Sequence, residues 1–411
     1  MSYVQLRAIN QTVDNTIFLP SSKSESNRSL IINALCHPPG KLSNLSSARD
    51  TQTMMQLLGS EDPIANVIDA GTTMRFLTAY FTITNQQKAL TGTARMCERP
   101  IGILVDALTH IGAEITYQEK KGFPPHKING FSKQLSSEVS IPGNVSSQYV
   151  SALLMIAPNL PNGLTINLIG EVGSRPYITM TIELMKSFGV HITADWEMNI
   201  LHVSPQSYKP TDYTIESDWS GASYWYSVVA LSFDKKTTLQ LNGLKENSLQ
   251  GDSKIVEIME HLGVKSEFNA TGVKLTKIPR RGNFSYDFTD CPDLVQTVAV
   301  VCALEGVDAA FTGIESLKIK ETDRVYALQT ELVKMGVDFV EVEKNHKYRI
   351  AKHTIIHPDM PFDTYDDHRM AMAFAPIAMQ MDIVINEPDV VVKSYPSFWE
   401  DFAKVATVNL G

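Results

Sequence analysis

Apolar residues along this chain follow two different patterns. In the first they recur on one helical face, and the run ends in an apolar residue followed by glycine: Leu58-Gly59, Ile111-Gly112, Phe188-Gly189, Leu262-Gly263 and Met335-Gly336. Ile255, Ile258, Met259 and Leu262 form such a stripe, as do Val325, Leu328, Leu332 and Met335, which is the spacing of an amphipathic helix. The glycine is expected in the left-handed conformation that ends a helix. Alternating stretches follow, such as Val190-His191-Ile192-Thr193 and Val337-Asp338-Phe339-Val340, with a second run after a polar turn in Asn199-Ile200-Leu201-His202-Val203. Period-two alternation predicts strands.

The second pattern has almost no polar face. Ser147 to Met155 and His368 to Ala375 are examples, and a helix apolar all round is enclosed in a core. Six such helices are predicted to begin near residues 24, 71, 146, 220, 293 and 366, with gaps of 47, 75, 74, 73 and 73. That regularity predicts six copies of one α/β unit of about 73 residues. The first copy is shortened, because only Ser60 to Asp69 stand between Gly59 and Ala70, where two strands are usual. The period is too long for a helical solenoid, so two domains of three units each are expected.

Composition narrows the partners. In 411 residues, 43% are hydrophobic and 20% charged, with 36 Lys+Arg against 45 Asp+Glu and a net charge of −9. Such a chain is globular and a poor general nucleic-acid binder, so any anion site must be local. Met1 to Arg7 lacks the basic-then-apolar order of a signal peptide. No apolar run reaches the roughly 18 residues that span a bilayer. Cys36, Cys97, Cys291 and Cys302 form no C-x-x-C pair. A reduced, cytoplasmic protein without membrane or nucleic-acid partners is expected.

The chemistry collects where the enclosed helices begin. Pro20-Ser21-Ser22-Lys23-Ser24-Glu25-Ser26-Asn27-Arg28 puts two cations and several hydroxyls ahead of Leu30-Ile31-Ile32. Two readings fit: a serine-rich helix cap, or an anion site in which Lys23, Arg28, Ser24 and Ser26 add to the free N–H groups and the dipole. Asp69-Ala70-Gly71-Thr72-Thr73-Met74-Arg75, Gly143-Asn144-Val145-Ser146-Ser147-Gln148, Cys291-Pro292-Asp293 and Tyr365-Asp366-Asp367-His368-Arg369 occupy equivalent places. Asp293 reads equally as an N-cap or as a functional carboxylate. Arg99-Pro100 and Arg175-Pro176 open first-pattern helices, with Pro100 expected at N1. Lys320 and Arg324 read as i,i+4 surface charges or as ligands. Lys393 falls in the β-like run Val390-Val391-Val392.

Lys23, Arg28, Arg99, Lys320, Arg324, Arg369 and Lys393 place about seven cations near helix starts, against the dipole. This points to two multiply charged small molecules held together. Rival motifs are absent: no G-x-G-x-x-G, no P-loop, no H-E-x-x-H and no G-x-S-x-G. His353 and His357 sit four apart in a strand-like, lysine-flanked context that disfavours a metal. Cys97, among cations, is a candidate reactive thiol. No metal or cofactor is expected.

Leu19-Pro20-x-Ser22-Lys23-Ser24-x-Ser26-Asn27-Arg28, Ala70-Gly71-Thr72-x-Met74-Arg75, Glu98-Arg99-Pro100-Ile101, Val145-Ser146-Ser147-Gln148, Ser174-Arg175-Pro176-Tyr177, Lys320-Glu321-Thr322-Asp323-Arg324 and Asp367-His368-Arg369-Met370 occur in this order. Together they resemble the 5-enolpyruvylshikimate-3-phosphate synthase family, from about residue 19 to 399. The resemblance implies an α/β fold of two inside-out α/β barrels, six βαβαββ-type units around buried helices, closing over the substrates. It implies one lobe at residues 20–216 and a discontinuous second lobe at 1–19 and 217–411. The implied reaction moves the enolpyruvyl group of phosphoenolpyruvate to the 5-hydroxyl of shikimate 3-phosphate, releasing phosphate, on the way to chorismate and the aromatic amino acids.

The same resemblance implies site roles. Lys23, Gly71, Arg99, Gln148, Arg324, Arg369 and Lys393 would hold phosphoenolpyruvate. Ser24, Arg28, Ser146, Ser147, Ser174, Asp293 and Lys320 would hold shikimate 3-phosphate. Asp293 would be the base for the hydroxyl and Glu321 the group that protonates the methylene carbon, with Lys23 sharing proton work. Glu321 is expected between Lys320 and Arg324, which would lower its pKa. Glyphosate sensitivity and a monomer are also expected. The chain departs from the family pattern at Ser21, Asp69, Phe76 and Ser316. The alternatives are an enolpyruvyl transferase acting on UDP-N-acetylglucosamine, whose catalytic cysteine would fall at Ala94, and a non-catalytic sugar-phosphate binder.

Overall fold

The computed structural model describes residues 2–8, 12–351 and 354–411, so His353 lies outside the described residues. The chain divides into two compact units, residues 22–215 and residues 1–21 with 216–411.

The enclosed helices are Lys23–Ala34, Gly71–Ile83, Ser147–Ile156, Trp219–Leu231, Val295–Leu304 and His368–Phe374. Every residue of the last two is buried, and of Trp219–Leu231 all but Ser220. In Val295–Leu304 small and β-branched residues predominate, and Val, Ala and Thr let neighbouring elements pack close on every side of the helix.

One repeat shows the common plan. Strand Glu138–Pro142 leads into Ser147–Ile156 and pairs in parallel with Leu164–Ile169. The amphipathic helix Arg175–Ser187 follows, and then Thr193–Asp195 and Ile200–Val203 return antiparallel. A parallel pair needs a crossover, which the enclosed helix supplies, whereas the last two strands need only a turn. The order of that sheet is repeated by Ile64–Asn66, Ala89–Thr91, His126–Phe131 and Ala113–Tyr117. In the other unit Phe284–Asp287, Ala309–Thr312, Lys347–Ile350 and Phe339–Glu343 repeat it again. The protein is thus an α/β fold of repeated βαβ-type units.

Three sheets are completed from distant sequence. Asp14–Phe18 pairs in parallel with Thr238–Asn242, beside the helix Trp219–Leu231, although it precedes Lys23–Ala34 in the chain. Tyr213–Thr214 pairs in parallel with Leu42–Ser43, although it precedes Trp219–Leu231. The sheet of Ile383–Asn386 takes Tyr3–Ala8 as its middle strand, between Ile383–Asn386 and Ala406–Leu410.

Several local expectations change. The Ser60–Asp69 stretch carries one strand, Ile64–Asn66, which belongs to the second repeat, so the first sheet is the two-residue pair at Leu42 alone. Lys88 Nζ donates to the carbonyls of Ser60 and Asp62 at 2.5 and 2.8 Å, satisfying acceptors that a fuller sheet would pair. Gly112, Gly189, Gly263 and Gly336 have positive φ, but Gly59 stays right-handed at φ −92°. There the chain continues its helical winding, with Ser60 N donating to Leu57 O. Pro100 precedes the helix Gly102–His110 and its cap Ile101, so it is not at N1. Pro388 starts a 3₁₀ turn, Pro388–Lys393, in place of the expected β-like run. Among the described residues no helix is long and apolar enough to cross a membrane, and no group of three or more His, Cys, Asp or Glu could hold a metal ion.

Candidate functional site

In the 22–215 unit, cations gather at two enclosed-helix starts, and uncharged donors stand at the third. Ser22 caps Lys23–Ala34, its hydroxyl accepting from Glu25 N, so the cap reading is correct for Ser22. Lys23 Nζ lies 2.9 Å from Asp50 Oδ2. Ser26 is buried and its Oγ accepts from Ser46 N at 3.0 Å, which removes it from any anion site. Ser24 remains half-buried, and its carbonyl accepts from Arg28.

Arg28 points inward and is 2% exposed. Its Nε donates to Thr181 Oγ1 at 2.7 Å and its Nη2 to Ser151 Oγ at 3.2 Å, with Phe76 under the guanidinium at 5.4 Å. Burial lowers its pKa to about 10, still far above neutrality. The Phe76 departure therefore supplies a cation–π face.

Gly71 opens its helix without a side-chain cap. A Cβ there would meet Arg75 Nη1 at 2.6 Å and Arg99 Nη1 and Nη2 at 2.8 Å. Two guanidinium groups and the uncapped helix start thus converge on one glycine. Arg75 Nη1 donates to Gly71 O at 2.8 Å, and Tyr149 OH fixes the Arg99-Pro100 segment through Pro100 O at 2.6 Å. Neither Arg28 nor Arg99 has an ion-pair partner among the described residues. Gln148 donates from Nε2 to Thr72 Oγ1 at 2.9 Å, exposed Ser146 caps the helix, and Ser147 is buried. Ser174, at φ 53°, caps Arg175–Ser187 with no side-chain bond. Asp69 pairs with Arg49 at 2.9 Å, which accounts for that departure. Cys97 Sγ contacts Gly92 O.

In the other unit the charges form one network. Asp293 is not a cap: it sits inside the 3₁₀ turn Pro292–Leu294 and is ion-paired with three cations. Arg324 Nη1 is at 2.9 Å, Arg369 Nη2 at 2.8 Å and Lys320 Nζ at 3.6 Å. Burial pushes the Asp293 carboxyl up, but Arg369, Lys320 and Arg324 together outweigh it and hold it well below the usual carboxylate range. Glu321 pairs with Arg324 Nη2 at 2.9 Å and, through its other oxygen, with Lys393 Nζ at 3.5 Å. Lys393 therefore joins Arg324 as a cation on Glu321, and Lys320 pairs with Asp293.

Lys320 lies in an extended segment before the helix Arg324–Val333, so the two cations are not i,i+4 surface charges on one helix. Arg324 is 1% exposed. Burial lowers its pKa, and Asp367, Glu321 and Asp293 more than restore it, so it stays charged. Asp367 accepts from Arg324 Nε at 2.7 Å and from Arg369 N at 2.9 Å. Ser21 pairs with Ser217 in an isolated bridge, and nothing in the structure explains Ser316.

Asp50, Arg75 and Asp367 were not in the sequence-derived site. Asp50 had a legible signal: a carboxylate on the buried stripe of Thr53, Met54 and Leu57. Asp367 sits at an N-cap, which hides any second role. In that unit four cations face three carboxylates, so outside anions would compete with carboxylates for the same N–H groups.

The fold and these clusters define an α/β repeat protein with cations gathered at the starts of its enclosed helices. The model of the EPSP synthase (3-phosphoshikimate 1-carboxyvinyltransferase) family matches residues 60–402, and the chain belongs to that family. It is 48% identical to a 3-phosphoshikimate 1-carboxyvinyltransferase of Bacteroides fragilis over 401 residues, covering 95% of this chain and 94% of the relative. An enzyme of the same name from Sulfurovum is 33% identical over 99% of this chain and its own full length. The fold is also that of EPSP synthase from Acinetobacter baumannii, with a TM-score of 0.78 at 18% identity and full coverage of both chains. The chain is a transferase of this family.

Proposed function

We infer that the chain transfers the enolpyruvyl group of phosphoenolpyruvate to the 5-hydroxyl of shikimate 3-phosphate and releases phosphate. The observation that carries this is the family match across residues 60–402 with near-full-length relatives at up to 48% identity. Paired carboxylates on one guanidinium fit the reaction's two proton transfers, which a mere sugar-phosphate binder would not need. An acceptor of the UDP-N-acetylglucosamine type finds no support, and Ala94 offers no thiol.

In the chemistry, the 5-hydroxyl oxygen attacks C2 of phosphoenolpyruvate while C3 gains a proton, giving a tetrahedral ketal phosphate. Loss of a C3 proton then expels phosphate and restores the double bond. Asp293 accepts the hydroxyl proton; Glu321, with Lys23 assisting, serves C3. Asp293 is a weak base while three cations hold it. Substrate phosphate and carboxylate oxygens draw Lys320, Arg324 and Arg369 away, and its basicity rises where it is needed. The family resemblance supports Lys23, Gly71, Arg99, Gln148, Arg324, Arg369 and Lys393 as the ligands of phosphoenolpyruvate. The same resemblance supports Ser24, Arg28, Ser146, Ser147, Ser174, Asp293 and Lys320 as the ligands of shikimate 3-phosphate. Bidentate arginines suit both anionic groups.

The family resemblance also supports lobes at 20–216 and at 1–19 with 217–411, each an inside-out barrel. The test is phosphate release from phosphoenolpyruvate with shikimate 3-phosphate, run beside UDP-N-acetylglucosamine. Release with the second acceptor only would overturn the assignment.

A further inference from the structure

The helix Arg324–Val333 grips the segment 361–369 at two levels. At its first turn, Arg324 binds Asp367 through Nε at 2.7 Å and Nη2 at 3.3 Å. Two turns later, Glu331 reaches the same segment from a fully buried position. Its Oε1 accepts from Tyr365 OH at 2.7 Å and its Oε2 from Asp363 N at 2.9 Å. Lys334, 2.7 Å from Glu331, balances the charge and also donates to Pro361 O and Asp363 Oδ2. The Tyr365 ring packs edge-on against Tyr326 of the same helix, with centroids 6.4 Å apart.

Between these two anchors, Tyr365 and Asp366 both adopt positive φ, 54° and 55°. Neither is glycine, and two adjacent left-handed residues are unfavourable unless surrounding contacts hold them. Only that turn brings Asp367 onto Arg324 and starts the helix that carries Arg369. A carboxylate buried on the stripe of Leu328 and Leu332 is otherwise costly.

We propose that Glu331 and Tyr365 are positioning residues that fix the Asp367–Arg324–Arg369 constellation by clamping the left-handed turn beside it. The proposal rests on the function inferred above, in which Arg324 and Arg369 hold phosphoenolpyruvate. Released from the clamp, the turn relaxes toward ordinary φ and the two guanidinium groups lose their common orientation. Affinity for phosphoenolpyruvate falls, while Arg28, Ser146 and Ser147 still hold shikimate 3-phosphate.

The experiment uses the full chain and three variants, Tyr365→Phe, Glu331→Gln and the double variant. Tyr365→Phe deletes a single hydroxyl and is the variant least prone to misfold. We expect it to raise KM for phosphoenolpyruvate about fivefold, the effect of one net hydrogen bond. The Kd for shikimate 3-phosphate should stay within about twofold, a split that simple destabilisation would not produce. Glu331→Gln should act in the same direction, and the double variant should be less than additive. A lowered melting temperature with KM unchanged, or equal losses for both substrates, would overturn the clamp. Wild-type protein inactive toward both substrates would instead remove the underlying functional reading.

Discussion

Gly71→Ala tests whether the two guanidinium groups at that helix start are a working part of the site. The added Cβ would lie 2.6 Å from Arg75 Nη1 and 2.8 Å from both terminal nitrogens of Arg99. Ordinary contact needs about 3.4 Å or more, so each group must retreat by about 0.6–0.8 Å. Both are flexible ends, so the cost in stability is small. Ala is also the better helix former, by about 0.5–1 kcal/mol in a helix interior and less in a first turn. Stability should therefore stay within about 1 kcal/mol of wild type. Positioning is far less forgiving, since a displacement of about 1 Å costs on the order of 100-fold. A shift of this size should lower kcat/KM for phosphoenolpyruvate by about 10- to 30-fold, chiefly through KM. Phosphate release at varied phosphoenolpyruvate and saturating shikimate 3-phosphate reads the effect, and a urea titration reads stability. An unchanged KM with a stably folded variant would refute the idea that Arg75 and Arg99 act from these positions.

Asp293→Ala should reduce turnover by about 100-fold or more, as loss of a general base does, and retention of a tenth of wild-type rate would exclude that role. Asp367→Asn leaves Arg324 buried with a weaker partner and should cost about 3 kcal/mol in urea unfolding; a change below about 1 kcal/mol would show that Asp293 and Glu321 suffice. The Asp293 pKa is lower folded than its ordinary value of about 3.9. Its contribution to stability is therefore complete above about pH 4–5 and is lost as pH falls toward the folded value. Urea midpoints measured from pH 3 to 7 should drop at the acid end for wild type and drop less for Asp293→Asn. Saturating glyphosate should suppress phosphate release, and undiminished release would count against the pocket at Gly71-Thr72.

The repeat, the two helix types and the places where charge collects were legible because each depends on local pattern. An enclosed helix must be apolar on every side, and Val295 to Leu304 states this in ten consecutive residues. Glycine after an apolar residue ended four of the five marked helices in a positive-φ turn, and failed at Gly59 because the chain there keeps winding. Cation positions were legible too, but their partners were not. Lys23 meets Asp50 across 27 residues, and Arg324 meets Asp367 across 43. No spacing rule reaches that far, because these ion pairs are set by how separate elements pack and not by the helical period. Ser26 looked like a ligand and turned inward to Ser46, since burial outranks residue type.

The sequence by itself determined the unit: its length, its enclosed helix, its strand alternation and the family motifs at its loops. Only the tertiary structure decided which strand completes which sheet. Asp14–Phe18 lies beside Lys23–Ala34 in the chain yet joins Thr238–Asn242, and Tyr213–Thr214 leaves the Trp219 helix to pair with Leu42–Ser43. Tyr3–Ala8 closes a sheet formed by the last 29 residues of the chain. A strand's own residues specify which face is apolar and say little about its neighbour. Partner choice is a property of the whole chain, settled where parallel edges and buried surfaces can all be satisfied at once.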